Sequence, residues 1–128
     1  MGSGVPYDDA KFGISQSAEG VFTPVENNDA AAIYWRHQFF VNAKVKEVRA
    51  IVKTAGKGNT SAITVYKGTT SIGSIAIGTA TAGTKVDASL TDTDFDKDTD
   101  ILNLGQAVAT DTGAAFIAVE YQEAYEGA

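Results

Sequence analysis

From Val45 to Ile77 the chain reads VKEVRAIVKTAGKGNTSAITVYKGTTSIGSIAI, three stretches of alternating apolar and polar positions separated by residues that reverse direction. That alternation is the period of half-buried strands, and it predicts an antiparallel β-meander that nucleates the domain. In KVKEVRAIVK, Val48, Ala50 and Val52 share one parity while Val45 and Ile51 take the other. A β-bulge near Lys46-Glu47 is therefore expected, bringing Val45 back into the inward set. TAGKGNT, with Gly56, Gly58 and Asn59, reads as a hairpin turn. Ile63 and Val65 continue the core, Gly68 ends their strand, and Ile75 with Ile77 marks the next.

Ahead of this run, AIYWRHQFFV from Ala32 to Val41 is dense in aromatic and β-branched residues and predicts another strand. Trp35, His37, Phe39 and Val41 fall on one side, and Tyr34, Arg36, Gln38 and Phe40 on the other. Large side chains on both sides imply two covers, the sandwich on one and a loop, the N-terminal segment or a partner on the other. Beyond Gly78 a Thr-rich stretch predicts a weak strand and then a loop, with Val86 and Leu90 as its core positions. Ile101 to Leu104 reads as a short strand, and AAFIAVEY, from Ala114 to Tyr121, as a strand with Ala115, Ile117, Val119 and Tyr121 inward. No helical stripe interrupts the series. Roughly seven or eight short strands, with turns about every 8–12 residues, predict an all-β fold, an antiparallel two-sheet β-sandwich or jelly roll.

The first residues follow neither period. Val5, Tyr7, Phe12, Ile14, Val21 and Phe22 come singly or in pairs among Gly, Ser, Asp and Asn. Such a stretch reads either as a frayed terminus or, because a solvated end needs no apolar anchors, as an extended N-terminal arm over residues 1–31 that orders on a neighbouring subunit or partner; the arm is the expectation, with those six residues as its binding anchors. Residues 32–128 form the sandwich, which should stay folded without the arm.

Composition narrows the function. With 128 residues, 44% of them hydrophobic, the chain suits one core. No cysteine is present, which excludes disulfides and thiolate metal sites. A net charge of −6 repels a phosphate backbone, so nucleic acid is not expected as a partner. No apolar run reaches the roughly 20 residues of a membrane span, and the N-terminus lacks the pattern of a signal peptide. Pro6 stands where an acylation signal after Met1-Gly2 needs Ser or Thr.

Four features look chemical. Asp92, Asp94, Asp96, Asp98 and Asp100 alternate like the ligands of a hard cation, but Lys97 and Asn103 stand where a calcium loop needs Gly and Glu. The run reads as a solvated acidic edge, with no metal expected. Gly56-Lys57-Gly58-Asn59-Thr60-Ser61 resembles a phosphate cradle, yet its Lys does not directly precede Ser or Thr, and a strand follows where a helix is required. His37 is the only histidine, which leaves little for a His-based metal centre or a nucleophile–base pair, so it reads as structural, and neither a catalytic residue nor a cofactor is expected. Tyr34, Trp35, Tyr66, Tyr121 and Tyr125 suit either a sugar-stacking platform or core packing.

From about Arg36 to Gln122, the order HQFFV, VKEVRAIVKTAGKGNTSAITVYKGTTSIGSIAIG, the acidic approach to DILNL, and a closing AAFIAVEYQ resembles small tailed-bacteriophage virion proteins, in particular capsid decoration (cement) proteins. That resemblance implies a non-enzymatic β-sandwich, a homotrimer made in the host cytoplasm. It would bind the major capsid protein on the outer face of an icosahedral head and stabilise it. No membrane or small-molecule ligand is implied. The alternative is a carbohydrate- or host-receptor-binding sandwich module of a tail or fibre, which would display an exposed aromatic cluster.

Overall fold

The computed structural model describes residues 12–23, 32–106 and 113–124, and within them the chain forms ten strands and no helix. In order these are β1 (Phe12–Phe22), β2 (Ile33–Gln38), β3 (Ala43–Thr54), β4 (Ile63–Lys67), β5 (Thr70–Ile75), β6 (Lys85–Asp87), β7 (Ser89–Leu90), β8 (Asp94–Phe95), β9 (Ile101–Gly105) and β10 (Ala114–Ala124). One antiparallel sheet runs β1-β10-β3-β6, with β8 also pairing to β3, and the other runs β2-β9-β4-β5-β7. The fold is the all-β, two-sheet antiparallel sandwich that the alternation predicts.

Its core forms where the inward parities of the two sheets meet. Val48, Ala50 and Val52 of β3 and Ala115, Ile117 and Val119 of β10 are buried against Ile63 and Val65 of β4, Ile75 of β5, and Leu102 and Leu104 of β9. The bulge expected in β3 is present. Glu120 pairs with Glu47 and Tyr121 with Val45, which leaves Lys46 unmatched and lets Val45 and Val48 both point inward.

The meander is corrected. β3 bonds to β10, β6 and β8, whereas β4 and β5 form a hairpin in the opposite sheet. TAGKGNT is thus a crossover between layers and not a hairpin turn. Ser61 ties it into a corner: its N–H donates to the Gly58 carbonyl at 3.0 Å, its Oγ accepts the Gly58 N–H at 3.2 Å, and its carbonyl accepts the Gly78 N–H at 2.8 Å. Alternation could not reveal this, because a strand shows the same inward set whether its successor lies beside it or across the core.

Two further expectations change. The stretch Phe12–Phe22 of the segment read as an arm is sheet: β1 pairs with β10 without interruption from Ser15 to Phe22. Phe22 is fully buried and meets Tyr34 edge-to-face at 5.5 Å, so the sandwich does not begin at residue 32. The acidic run also carries a core residue, since Phe95 on β8 is buried through pairing with Ala43 and packs against Phe39 at 5.5 Å.

Candidate partner-binding surface

The outward parity of the β1-β10-β3-β6 sheet builds an open face. Strand register sets its side chains in rows across the strands. In one row Val21 faces Phe116, Phe116 faces Ile51 and Ile51 faces Lys85. The next holds Glu19, Ala118, Arg49 and Asp87, and the one beyond it Ser17, Glu120 and Glu47. The apolar row is uncovered among the described residues, with Val21 43%, Ile51 41% and Phe116 48% exposed. Together with Gly20 and Ala118, and bordered by Glu19 and Arg49, it forms a shallow concavity of about 470 Å³.

Charge surrounds this apolar floor. Lys53 Nζ lies 5.7 Å from the centroid of the Phe116 ring, and Lys85 stands beside Ile51 on the same parity. Arg49 donates from Nε to Asp87 at 2.7 Å and from Nη2 to Glu47 at 3.2 Å, contacts that push its pKa further above the usual arginine value. These ion pairs are exposed and contribute little to stability, but they direct the guanidinium toward Asp87 on β6 and Glu47 on its own strand.

Two other features are open. β1 is a sheet edge, and among the described residues no strand pairs with its outer side. From Ser15 to Phe22 it carries neither Pro nor Lys, the residues that commonly blunt an edge, and Glu19 is its one charge. At the corner between β2 and β3, Phe40 is 92% exposed.

The residues expected to bind a partner separate on this structure. Val5 and Tyr7 lie outside the described residues. Phe12 pairs with Ala124, and Ile14 falls in the irregularity that follows on β1. Val21 joins the exposed apolar row, whereas Phe22 is core and unavailable to a partner.

His37 lies in an aromatic cluster, stacked on Trp35 at 6.1 Å and within 4.7 Å of Phe39 and 5.8 Å of Tyr121 between ring centroids. Burial holds its pKa below the usual imidazole value. Three of the aromatics weighed as a sugar platform turn to packing: Tyr34 on Phe22, Trp35 on His37 and over Gly20, Tyr121 on Phe39, while Tyr66 is half-buried on β4. Tyr125 lies outside the described residues. In the acidic run, Asp92 and Asp94 pair with Lys67 and Lys44, each at 3.2 Å. Asp96 Oδ1 accepts the Asp98 N–H and Asp100 Oδ2 the Asp96 N–H, both at 2.8 Å. The carboxylates of Asp92, Asp94, Asp96 and Asp100 address lysines and backbone, and among the described residues no group of three His, Asp or Glu side chains gathers where a metal ion would sit.

The sequence showed Ile51 off parity, and this was the one available sign of the exposed row. Phe116 carried no signal, because an apolar residue between inward positions is common in a strand covered on both sides. Searches against protein-family models, curated proteins and solved structures return no match to this chain.

Proposed function

We propose that this chain is a non-enzymatic virion structural protein that decorates and stabilises the outer face of an icosahedral phage capsid, binding the major capsid protein as a homotrimer. The resemblance of its sequence to capsid decoration proteins names the partner. The observation that carries the reading is the unblunted edge of β1, in continuous register with β10 from Ser15 to Phe22. Such an edge accepts an extended segment of another protein as an added strand, with main-chain hydrogen bonds supplying affinity. Val5 and Tyr7, preceding β1 in sequence, would lengthen the same contact.

Co-sedimentation with empty heads assembled from the major capsid protein of the same virus tests this. Adjacent residues in a strand direct their N–H groups to opposite sides, so one of Gln16→Pro and Ser17→Pro removes a donor from the open edge while sparing the bonds to β10. The variant that keeps native melting should lose binding to heads. If that folded variant binds as the unaltered protein does, edge docking is wrong. If the protein ignores heads and retains a glycan on an array, the receptor-binding alternative replaces the capsid reading.

A further inference from the structure

Phe40 is nearly free of contact, yet the corner that presents it is braced. Its neighbour Phe39 is buried, with ring centroids 4.8 Å from Tyr121 and 5.5 Å from Phe95. Asn42 Oδ1 accepts the Lys97 N–H at 3.0 Å, and Gln38 Nε2 donates to the Lys97 carbonyl at 3.5 Å, so both flanks of the corner are tied to one residue of the acidic loop. A large aromatic side chain on a rigid support loses little conformational entropy on binding, which is the property of an interface anchor. Asp96 and Asp98, both exposed, flank Lys97 in sequence, and their two carboxylates against its one ammonium leave this side of the corner net negative.

The concavity formed by Gly20, Val21, Ile51, Phe116 and Ala118 has the complementary character. It is apolar at its floor and bordered by Glu19 and Arg49, and the exposed Lys53 and Lys85 beside it leave its surroundings net positive. The two features lie toward opposite ends of β3: Ala43 to Ile51 alone spans roughly 25 Å at the rise of a strand. Phe40 therefore cannot enter the concavity of its own chain.

We infer that Phe40 of one copy seats in the Val21–Ile51–Phe116 concavity of a second copy, with the acidic corner facing the two lysines. The contact joins different patches on the two copies, and it closes into a ring of three where each contact turns the next copy by a third of a revolution. This deepens the oligomeric part of the reading above and does not depend on what the assembly docks onto.

The test measures mass by light scattering across a dilution series, without heads. The unaltered protein should be oligomeric. Phe40→Ser and Ala118→Glu should each raise the dissociation constant roughly ten- to a hundredfold, the effect of losing one buried aromatic contact. Ile101→Ser, which removes an exposed apolar side chain elsewhere, should leave the mass unchanged. Because the chain has no cysteine, mixing Phe40→Cys with Ile51→Cys protein under mild oxidation should trap a disulfide between the two. A protein that is monomeric at high micromolar concentration, or a Phe40→Ser variant that assembles normally, overturns the inference. Heads added in a separate experiment keep the two readings apart. A monomer that still binds heads refutes this contact alone, whereas a Phe40-dependent oligomer that ignores heads refutes the capsid reading alone.

Discussion

Gly73 sits in the middle of β5, paired with Val65 on one side and Leu90 of β7 on the other. A methyl group added there would lie 2.9 Å from Leu90 Cδ2 and closer still to the Ser89 carbonyl oxygen. The carbonyl is backbone and cannot rotate aside, so β7 must move. That strand is only two residues long, paired through Gly73 with Leu90 and Ser74 with Ser89, and followed by Thr91, whose N–H and Oγ1 both reach the Ile72 carbonyl, at 2.9 and 3.2 Å. Releasing it forfeits two or three hydrogen bonds at about 1 kcal/mol each and the burial of half a leucine, about 1 kcal/mol more. The lower chain entropy of Ala offsets roughly 0.5–1 kcal/mol of this. Gly73→Ala should therefore destabilise by roughly 2–3 kcal/mol, lowering the melting temperature by about 8–12 °C for a domain of this size. Thermal unfolding by circular dichroism measures it. Hydrogen exchange at the Thr91 amide should speed up before global unfolding. Gly58→Ala is the control, because nothing lies within 4 Å of its added methyl group. If the two variants melt within about 2 °C of each other, the close approach of β7 to β5 does not explain the glycine.

Removing residues 1–11 should leave the melting temperature near native. Removing residues 1–23 also strips β1 and the buried Phe22 from the core, a loss of at least the ~3–5 kcal/mol typical of deleting a core aromatic, and should unfold the domain by calorimetry. The sandwich is thus expected to need β1, Phe12–Phe22, although the sequence marked that stretch as dispensable. His37 prefers to be neutral in the folded protein, so the unfolded chain takes up its proton first as pH falls below about 6.5. Stability should be fully present above that pH and decline as pH drops toward the lowered folded value. His37→Phe should flatten the chemical-denaturation stability between about pH 5.5 and 7, and equal slopes for the two proteins would refute the assignment. Calcium should move the melting temperature little, because the Asp92, Asp94, Asp96 and Asp100 carboxylates are directed at lysines and backbone N–H groups. A large shift abolished by Asp94→Asn or Asp96→Asn would show that the loop rearranges around the ion.

Much of this fold could be read from alternation, and its failures share one physical origin. A period of two reports which way a side chain points but not which strand lies beside it. Val48, Ala50, Val52, Ile63 and Val65 were all placed inward correctly, yet the sheet change between β3 and β4 left no trace in their pattern. β1 was missed for a related reason. Its inward positions include Ala18 and Gly20, which are small because the Trp35 indole lies over Gly20, so a strand that packs closely shows little hydrophobicity. Phe95 was masked by aspartates on both sides that are solvated or paired while the ring between them turns into the core.

The candidate surface was harder to read than the fold because it depends on register between strands far apart in sequence. Val21, Ile51 and Phe116 are unremarkable one at a time, since single exposed apolar residues are common on any protein. They become a surface only when β10 aligns with β1 on one side and β3 on the other, so that the three stand in one row. Either of two bulges helps fix that alignment: the irregularity between Ala114 and Ala115 and the one at Lys46 both interrupt the β3–β10 ladder. A slip of one residue would turn Phe116 inward and Ile117 outward, exchanging the core for the face. The buried row of Ala115, Ile117 and Val119 therefore holds the exposed row in place, and the same packing that stabilises the sandwich keeps Phe116 where a partner can reach it.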